Sequence, residues 1–335
     1  MTPSSSHPSA DSGRVFTAQT SHRNRVSAVI GSRRSALSSR PTPDCEARQV
    51  LIRVIVNGIC ASDLTEWQSD PPADPLLLGH EPVGEVVAVG PGVDTCDIGD
   101  LVTGRIDPSF SDFALADQTD VVKVPPGLTP DAALGEPLGC IVEALRRTPL
   151  EVGDRIAVVG AGFMGLCLLQ LLRHTPSSLI AAIDPRTDAR AHALRHGADT
   201  AADPAALSAL DPSPPGAEPG FDVVFEASGS QPGLDLATEL VRPQGTLSII
   251  GYHQGLRTVD MHAWNWKALD VVNAHVRDRA RLRDSIKRGL ELAAAGRIDL
   301  ASLITHRYAL SEVDTAFTAL IEKPSGFIKA VIDVN

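Results

Sequence analysis

The stretch VVGAGFMG, residues 158–165, constrains this chain more than any other part of it. It sets Gly160, Gly162 and Gly165 at G-x-G-x-x-G spacing, after the apolar run IAVV and before the apolar stretch GLCLLQLL. A strand, a glycine turn and a helix in that order are the fingerprint of a nucleotide-binding βαβ unit. The first glycine permits the tight turn, the second lets backbone approach a pyrophosphate, and the third lets helix pack on strand. The amides opening the helix, at Phe163 and Met164, then face the phosphates. A second apolar run, LIAAID, ends in Asp184, nineteen residues past Gly165. A carboxylate there accepts both ribose hydroxyls of NAD and repels the 2′-phosphate of NADP. Asp184 also reads as a turn or helix-capping residue, and Arg186 and Arg190 close by keep NADP open.

The pattern around this unit sorts the chain into two kinds of segment. Between residues 27 and 133, short strands alternate with turns: VSAVIG, QVLIRVIV, EPVGEVVAVG, DLVTGRI and VVKVP, separated by signals such as GPGVD and PPGLTP. After Glu136, strands alternate with helices through SLIAAID, DARAHALRHGAD, FDVVFEASG, LDLATELV and GTLSIIGY, which predicts a parallel sheet with crossovers. The last 60 or so residues combine an amphipathic helix, RLRDSIKRGLELAAAG, with strand-like LITHRYAL and GFIKAVIDV. Residues 1–25 are rich in Ser and Pro, lack periodicity and lack a secretory apolar core, so a disordered tail is expected there.

Composition narrows the function classes. A chain of 335 residues accommodates two domains, and 43% apolar residues with 27 Gly and 25 Pro suit a loop-rich α/β protein. The formal net charge of -11 argues against nucleic acid or an anionic membrane as partner. No run is long enough to span a bilayer. Five irregularly spaced cysteines read as a reduced, cytoplasmic protein without a disulfide framework.

Two polar loops remain, NGICASDLTEWQ (57–68) and LLLGHEPVGEVVAVG (76–90). Together with EPLGC, IAVVGAGFMG, VFEASG and GFIKAVI, they stand in an order that resembles the medium-chain zinc-dependent alcohol and polyol dehydrogenases, over residues 27 to the C-terminus. The resemblance implies an α/β protein: a β-rich GroES-like catalytic domain from residues 26–139 and 276–335, and a Rossmann doubly wound parallel sheet from 140–275. It implies a zinc site in which Cys60 and His80 match two ligands and Glu136 sits where sorbitol-type members carry a Glu. Glu81 follows the His as in the family, so Glu81 or Glu136 is the third ligand; Glu136 is favoured, with Glu81 exchanging. Thiolate, imidazole and carboxylate are donors that suit Zn²⁺. Cys140 is a weaker candidate and reads as a buried thiol.

The same resemblance gives Ser62 the role of taking the alcohol's proton and Asp63 that of orienting His80, while Thr65 stands where alcohol-type members carry a relay His. Asp63 also reads as a helix cap. The cysteine-rich lobe that holds the family's second zinc has no counterpart in TGRIDPSFSDFALADQTDVVKVP, so one zinc per chain is expected. His253 and His275 lie where the cofactor crevice opens and read as loop residues that reach it or solvent; Trp264 and Trp266 read as helix-packing, and His306 as structural. The expected function is NAD-dependent oxidation of a secondary alcohol on a polyol, sugar or cyclitol, by a homodimer or homotetramer. The rival readings are an NADP-dependent aldehyde or ketone reductase and a non-catalytic NAD-binding paralogue.

Overall fold

The computed structural model describes residues 23–70, 74–209 and 219–334. The chain opens with β1 (Arg23–Gly31) and β2 (Arg34–Pro41), then β3 (Gln49–Gly58), the short helix α1 (Leu64–Gln68), β4 (Leu76–Leu77) and β5 (Pro82–Val89). β6 (Leu101–Gly104), β7 (Phe113–Asp117) and β8 (Val121–Lys123) follow, and then α2 (Gly135–Arg147). Most of the expected tail lies outside the described residues. Its last three residues do not behave as a tail: β1 starts at Arg23, because Asn24 exchanges hydrogen bonds with the Phe113 backbone and Arg25 pairs with Asp112 at 2.8 Å.

The second half alternates as its pattern predicts: β9 (Arg155–Val159), α3 (Phe163–Leu172), β10 (Leu179–Ile183), α4 (Thr187–Arg195), β11 (Thr200–Ala202) and β12 (Phe221–Glu226). α5 (Gln231–Leu240), β13 (Val241–Ile249), α6 (Met261–Lys267) and β14 (Asp270–Asn273) complete it. These six strands form one wholly parallel sheet in the order β11-β10-β9-β12-β13-β14. Runs such as RIAVV are apolar without alternation because helices cover both faces of the sheet. The order reverses between β9 and β12, and a crevice opens there beyond the strands' carboxyl ends.

α7 (Arg279–Ala294) packs along α2, and β15 (Ile304–Ala309), α8 (Val313–Glu322) and β16 (Lys329–Asp333) return to the first half. β16 pairs antiparallel with β3, giving the sheet order β15-β16-β3-β5-β6-β8, with β7 also on β3. β2, β1 and β4 form a smaller sheet beside it. The two ends of the chain thus share one core. Phe317 of α8 is fully buried with its ring 5.1 Å from Trp67 and 6.0 Å from Phe110.

That cluster joins segments some 250 residues apart, so its loss loosens the whole β-rich half. Phe317→Ala is expected to destabilise the protein by about 3–5 kcal/mol, read as a lowered denaturation midpoint by circular dichroism; an unchanged midpoint contradicts this reading of the core.

Candidate active site

Cys60 lies just past β3, and β3 reaches it through a constrained turn. Asn57, fully buried, donates to the backbone oxygen and hydroxyl of Ser109, both at 2.7 Å, and accepts from the Glu81 amide at 3.2 Å. Gly58 is required by space: a Cβ there would stand 1.9 Å from Oε2 of Glu81. The two polar loops singled out in the sequence are therefore clasped to each other. The Sγ of Cys60, a ring nitrogen of His80 and a carboxylate oxygen of Glu81 all lie within 4.8 Å of one another.

Ser62 stands over this cluster, its Oγ 3.3 Å from both Cys60 Sγ and His80 Nε2. The other ring nitrogen of His80, Nδ1, is 3.1 Å from Oδ1 of buried Asp63, which fixes the ring's orientation. Burial pulls the His80 pKa down, but the hydrogen bonds and charges of Asp63 and Cys60 outweigh it and raise it to about 12. Thr65 is on the exposed side of α1.

Glu136, in the first turn of α2, lies outside the 4.8 Å group but lines the same cavity, and accepts from the Cys140 thiol at 3.3 Å. Burial raises the Glu136 carboxyl, His80 offsets this, and Glu81 pushes it up again; burial first and then Glu136 push the Cys140 thiol well above the usual range. A carboxyl held up by its surroundings, beside a thiol, an imidazole and a second carboxylate, is a donor set that a divalent cation fits.

Sequence reasoning overlooked Lys329. Its Nζ donates to Glu81 Oε2 at 2.6 Å and to the Ile59 carbonyl at 2.8 Å, with side chains 5% and 1% exposed for Lys329 and Glu81. The Nζ also lies 4.5 Å from the Phe163 ring centroid. A signal existed: a lysine inside the apolar strand run FIKAVI is a charge that needs a buried partner.

The glycine loop faces the same cavity. Gly160 has φ +100°, and a Cβ on Gly165 would fall 2.0 Å from the Gly160 carbonyl, so helix and turn touch backbone to backbone. Gly162, by contrast, looks into open space at the start of α3, which leaves room for a phosphate at the helix amides. Phe163 and Met164 line the cavity. Asp184 ends β10 and is buried beside the loop, accepting from the Ala161 amide and the Arg186 amide, both at 2.9 Å. A carboxylate has about four acceptor positions, so these two bonds do not exhaust it. Arg190 is consumed by the Asp184 and Pro185 carbonyls and by Asp203, whereas Arg186 lines the cavity.

The cavity measures about 510 Å³ and runs from the Cys60–His80–Glu81 cluster to the glycine loop. His275 lines it, while His253 is turned to Glu226 at 2.8 Å and accepts from Arg257 at 3.0 Å. The next residue, Gln254, donates to the Ala61 carbonyl at 2.6 Å and so ties the parallel-sheet half to the Cys60 loop. Trp264 packs and donates to Thr238, but Trp266 is 83% exposed, contrary to the packing expected of both. His306 lies against Phe327 with ring centroids 5.0 Å apart.

Comparison with known proteins places this arrangement. Residues 46–126 match the alcohol dehydrogenase GroES-like domain and residues 164–294 match the zinc-binding dehydrogenase family. Among curated proteins, a sorbitol dehydrogenase of Halalkalibacterium halodurans is 27% identical, over 85% of this chain and 92% of that protein. A D-arabitol-phosphate dehydrogenase of Enterococcus avium is 28% identical, over 88% and 92%. The solved alcohol dehydrogenase TADH from Thermus sp. ATN1 superposes with a TM-score of 0.80 at 25% identity, covering 93% of this chain and all of that one. A GroES-like half that spans the two polar loops and, after it in the chain, a zinc-dehydrogenase half that starts at residue 164 make the chain an oxidoreductase that belongs to the medium-chain zinc-dependent alcohol and polyol dehydrogenase family.

Proposed function

We propose that this chain oxidises a secondary alcohol on a polyol, sugar or cyclitol to a ketone, with NAD as hydride acceptor and one zinc per chain. The observation that carries this reading is the meeting of Cys60, His80 and Glu81, under Ser62, in the cavity that also opens onto the glycine loop. Cys60 and His80 are the firm ligands in this reading, with Glu136 or Glu81 completing the set. Relatives named for sorbitol and arabitol phosphate support the polyol class. A zinc ion held there would supply Lewis acidity that lowers the alcohol's pKa, and bound NAD would supply the hydride acceptor.

The chain's own residues do the rest. Ser62, its Oγ 3.3 Å from both Cys60 and His80, relays the alcohol proton, its hydroxyl taking that proton as its own passes to water or a ribose hydroxyl. Asp63 acts as a positioning residue, keeping the Nδ1 proton of His80 occupied so that Nε2 faces the cluster. Glu81 is restrained by Lys329, and Gln254 keeps the Cys60 loop against the parallel-sheet half. Asp184 binds the adenosine ribose, at the mouth of the glycine loop. NADP use is the second reading, favoured by Arg186 on the cavity wall with its Nε 3.4 Å from Asp184. The five cysteines are unpaired, which fits the cytoplasm, and no described helix is long and apolar enough to cross a membrane. A homodimer or homotetramer is the expected assembly; β14 is an edge strand of the parallel sheet, and Met261 and Trp266 of α6 are exposed.

Cys60→Ser is expected to lose the metal and the activity while the far-ultraviolet spectrum stays native, with about one zinc per wild-type chain by elemental analysis; two zincs, or active zinc-free protein, contradicts the site. Ser62→Ala is expected to keep zinc and NAD binding and lose on the order of 10²–10⁴ in kcat, with an altered pH-rate profile from neutral to alkaline pH. Wild-type kcat throughout that range moves the proton path to another group. Asp184→Ala is expected to raise KM for NAD about ten- to a hundredfold; a wild-type preference for NADP overturns the Asp184 assignment and promotes Arg186.

A further inference from the structure

Although the chain's formal charge is -11, its central cavity is lined by more cations than anions. Arg105, Arg186, Arg277, Lys323 and Lys329 stand on its wall against two acids, Glu81 and Glu136. Lys329 is neutralised by Glu81. Arg186 and Lys323 belong to the glycine-loop end, where both sense Asp184. Two arginines remain on the wall, Arg105 and Arg277.

Arg105 is placed by β6. Two residues before it, Thr103 donates to the Pro82 carbonyl at 2.8 Å and accepts from the Gly135 amide at 3.0 Å, between the chain segments that carry Glu81 and Glu136. Arg277 lies between β14 and α7, and α7 packs along α2, the helix that carries Glu136. Neither arginine has a strong anionic partner among the described residues. Arg105 makes one half-exposed contact with Asp107 at 3.4 Å, and the hydrogen bond of Arg277 goes to the Val276 carbonyl at 3.1 Å. A small recess adjoins the cavity at Arg105 and Leu282, and adds Arg283 there; its other arginine, Arg279, is already paired with Asp120. Both residues are exposed at the cavity wall, Arg105 and Arg277 alike, where like charges favour an anion that joins them.

We infer that the alcohol oxidised here carries an anionic group, a phosphate or a carboxylate, held by Arg105 and Arg277 away from the reacting carbon. The inference rests on the dehydrogenase reading for the reaction itself. Guanidinium groups match both anions in a planar, two-point geometry and remain charged at every working pH. In an acidic protein such a wall also draws an anionic substrate into the site that the rest of the surface repels. Neutral hexitols lack the group that these arginines would hold.

The test uses the full chain loaded with zinc and saturated with NADH, so that the cofactor's own phosphates are in place. Calorimetric titration with inorganic phosphate and, separately, acetate distinguishes the two anions. One of them is expected to bind at one site per chain, with affinity falling about tenfold or more in Arg105→Gln and in Arg277→Gln. Variants with a native circular dichroism spectrum make that loss local. No binding of either anion, or binding that persists in both variants, overturns the inference. In the turnover arm, NADH formation is compared for D-sorbitol, D-sorbitol 6-phosphate and D-gluconate, and kcat/KM is expected to favour a charged alcohol, by a ratio that falls in each variant. Faster oxidation of the neutral hexitol overturns the anionic substrate while leaving the dehydrogenase reading intact. Anion binding without any NADH formation sinks the dehydrogenase reading and leaves the anion site standing.

Discussion

The buried pair between Lys329 and Glu81 is the constraint on which the rest of the structure depends. Both side chains are almost fully out of water, and each ion pays several kcal/mol for that, repaid only by close, fully satisfied geometry. Lys329 meets the requirement by donating to Glu81 and to the Ile59 carbonyl while lying near the face of Phe163. One ammonium therefore gathers the end of β3, the loop before β5, the last strand and the first residue of α3. The Cys60 loop and the glycine loop are held together from the chain's far end. Leaving either charge alone would cost about 3–5 kcal/mol, and Gly58 is glycine because nothing larger passes the pair.

Charge also organises the cavity lengthwise. At one end, Cys60, Glu81 and Glu136 concentrate acidic donors around His80, with Lys329 paired to Glu81. At the other, Asp184 is drawn into the glycine turn by two backbone amides, and Arg186 and Lys323 flank it. Phe163, Met164 and Ile250 add apolar wall to the same cavity. An arrangement of this kind orients a ligand that is itself polar at both ends and flat between them.

The two halves of the molecule meet through few but specific links. Gln254 reaches the Ala61 carbonyl from a loop anchored by Glu226, His253 and Arg257, so a buried carboxylate in the parallel-sheet half bears indirectly on the position of Cys60. α2 and α7 cross between the halves as packed helices, where a Cβ on Gly139 would meet Ile286 at 2.5 Å. Close helix contact of that kind transmits small shifts rather than absorbing them.

Much of the fold was legible in the chain because its signals are local. The alternation of strand and helix after Glu136, the glycine spacing at 160–165 and the unbroken apolar strands follow from hydrogen-bond and burial rules that act within a few residues. β2 and β7 escaped notice: RSALSSRP has little apolar content and is half exposed, so its pairing with β1 is decided by a partner rather than by its own pattern. The start of β1 was misread for the same reason, since Asn24 and Arg25 are ordered by residues nearly ninety positions away. Cys60, His80, Glu81 and Glu136 were visible as polar residues in loops, yet which of them converge was settled by the clasp through Asn57 and Lys329. Lys329 itself, Arg105 and Arg277 drew no attention in the sequence. A charge carries no periodic signal, and its meaning depends on burial and on partners that only long-range packing supplies.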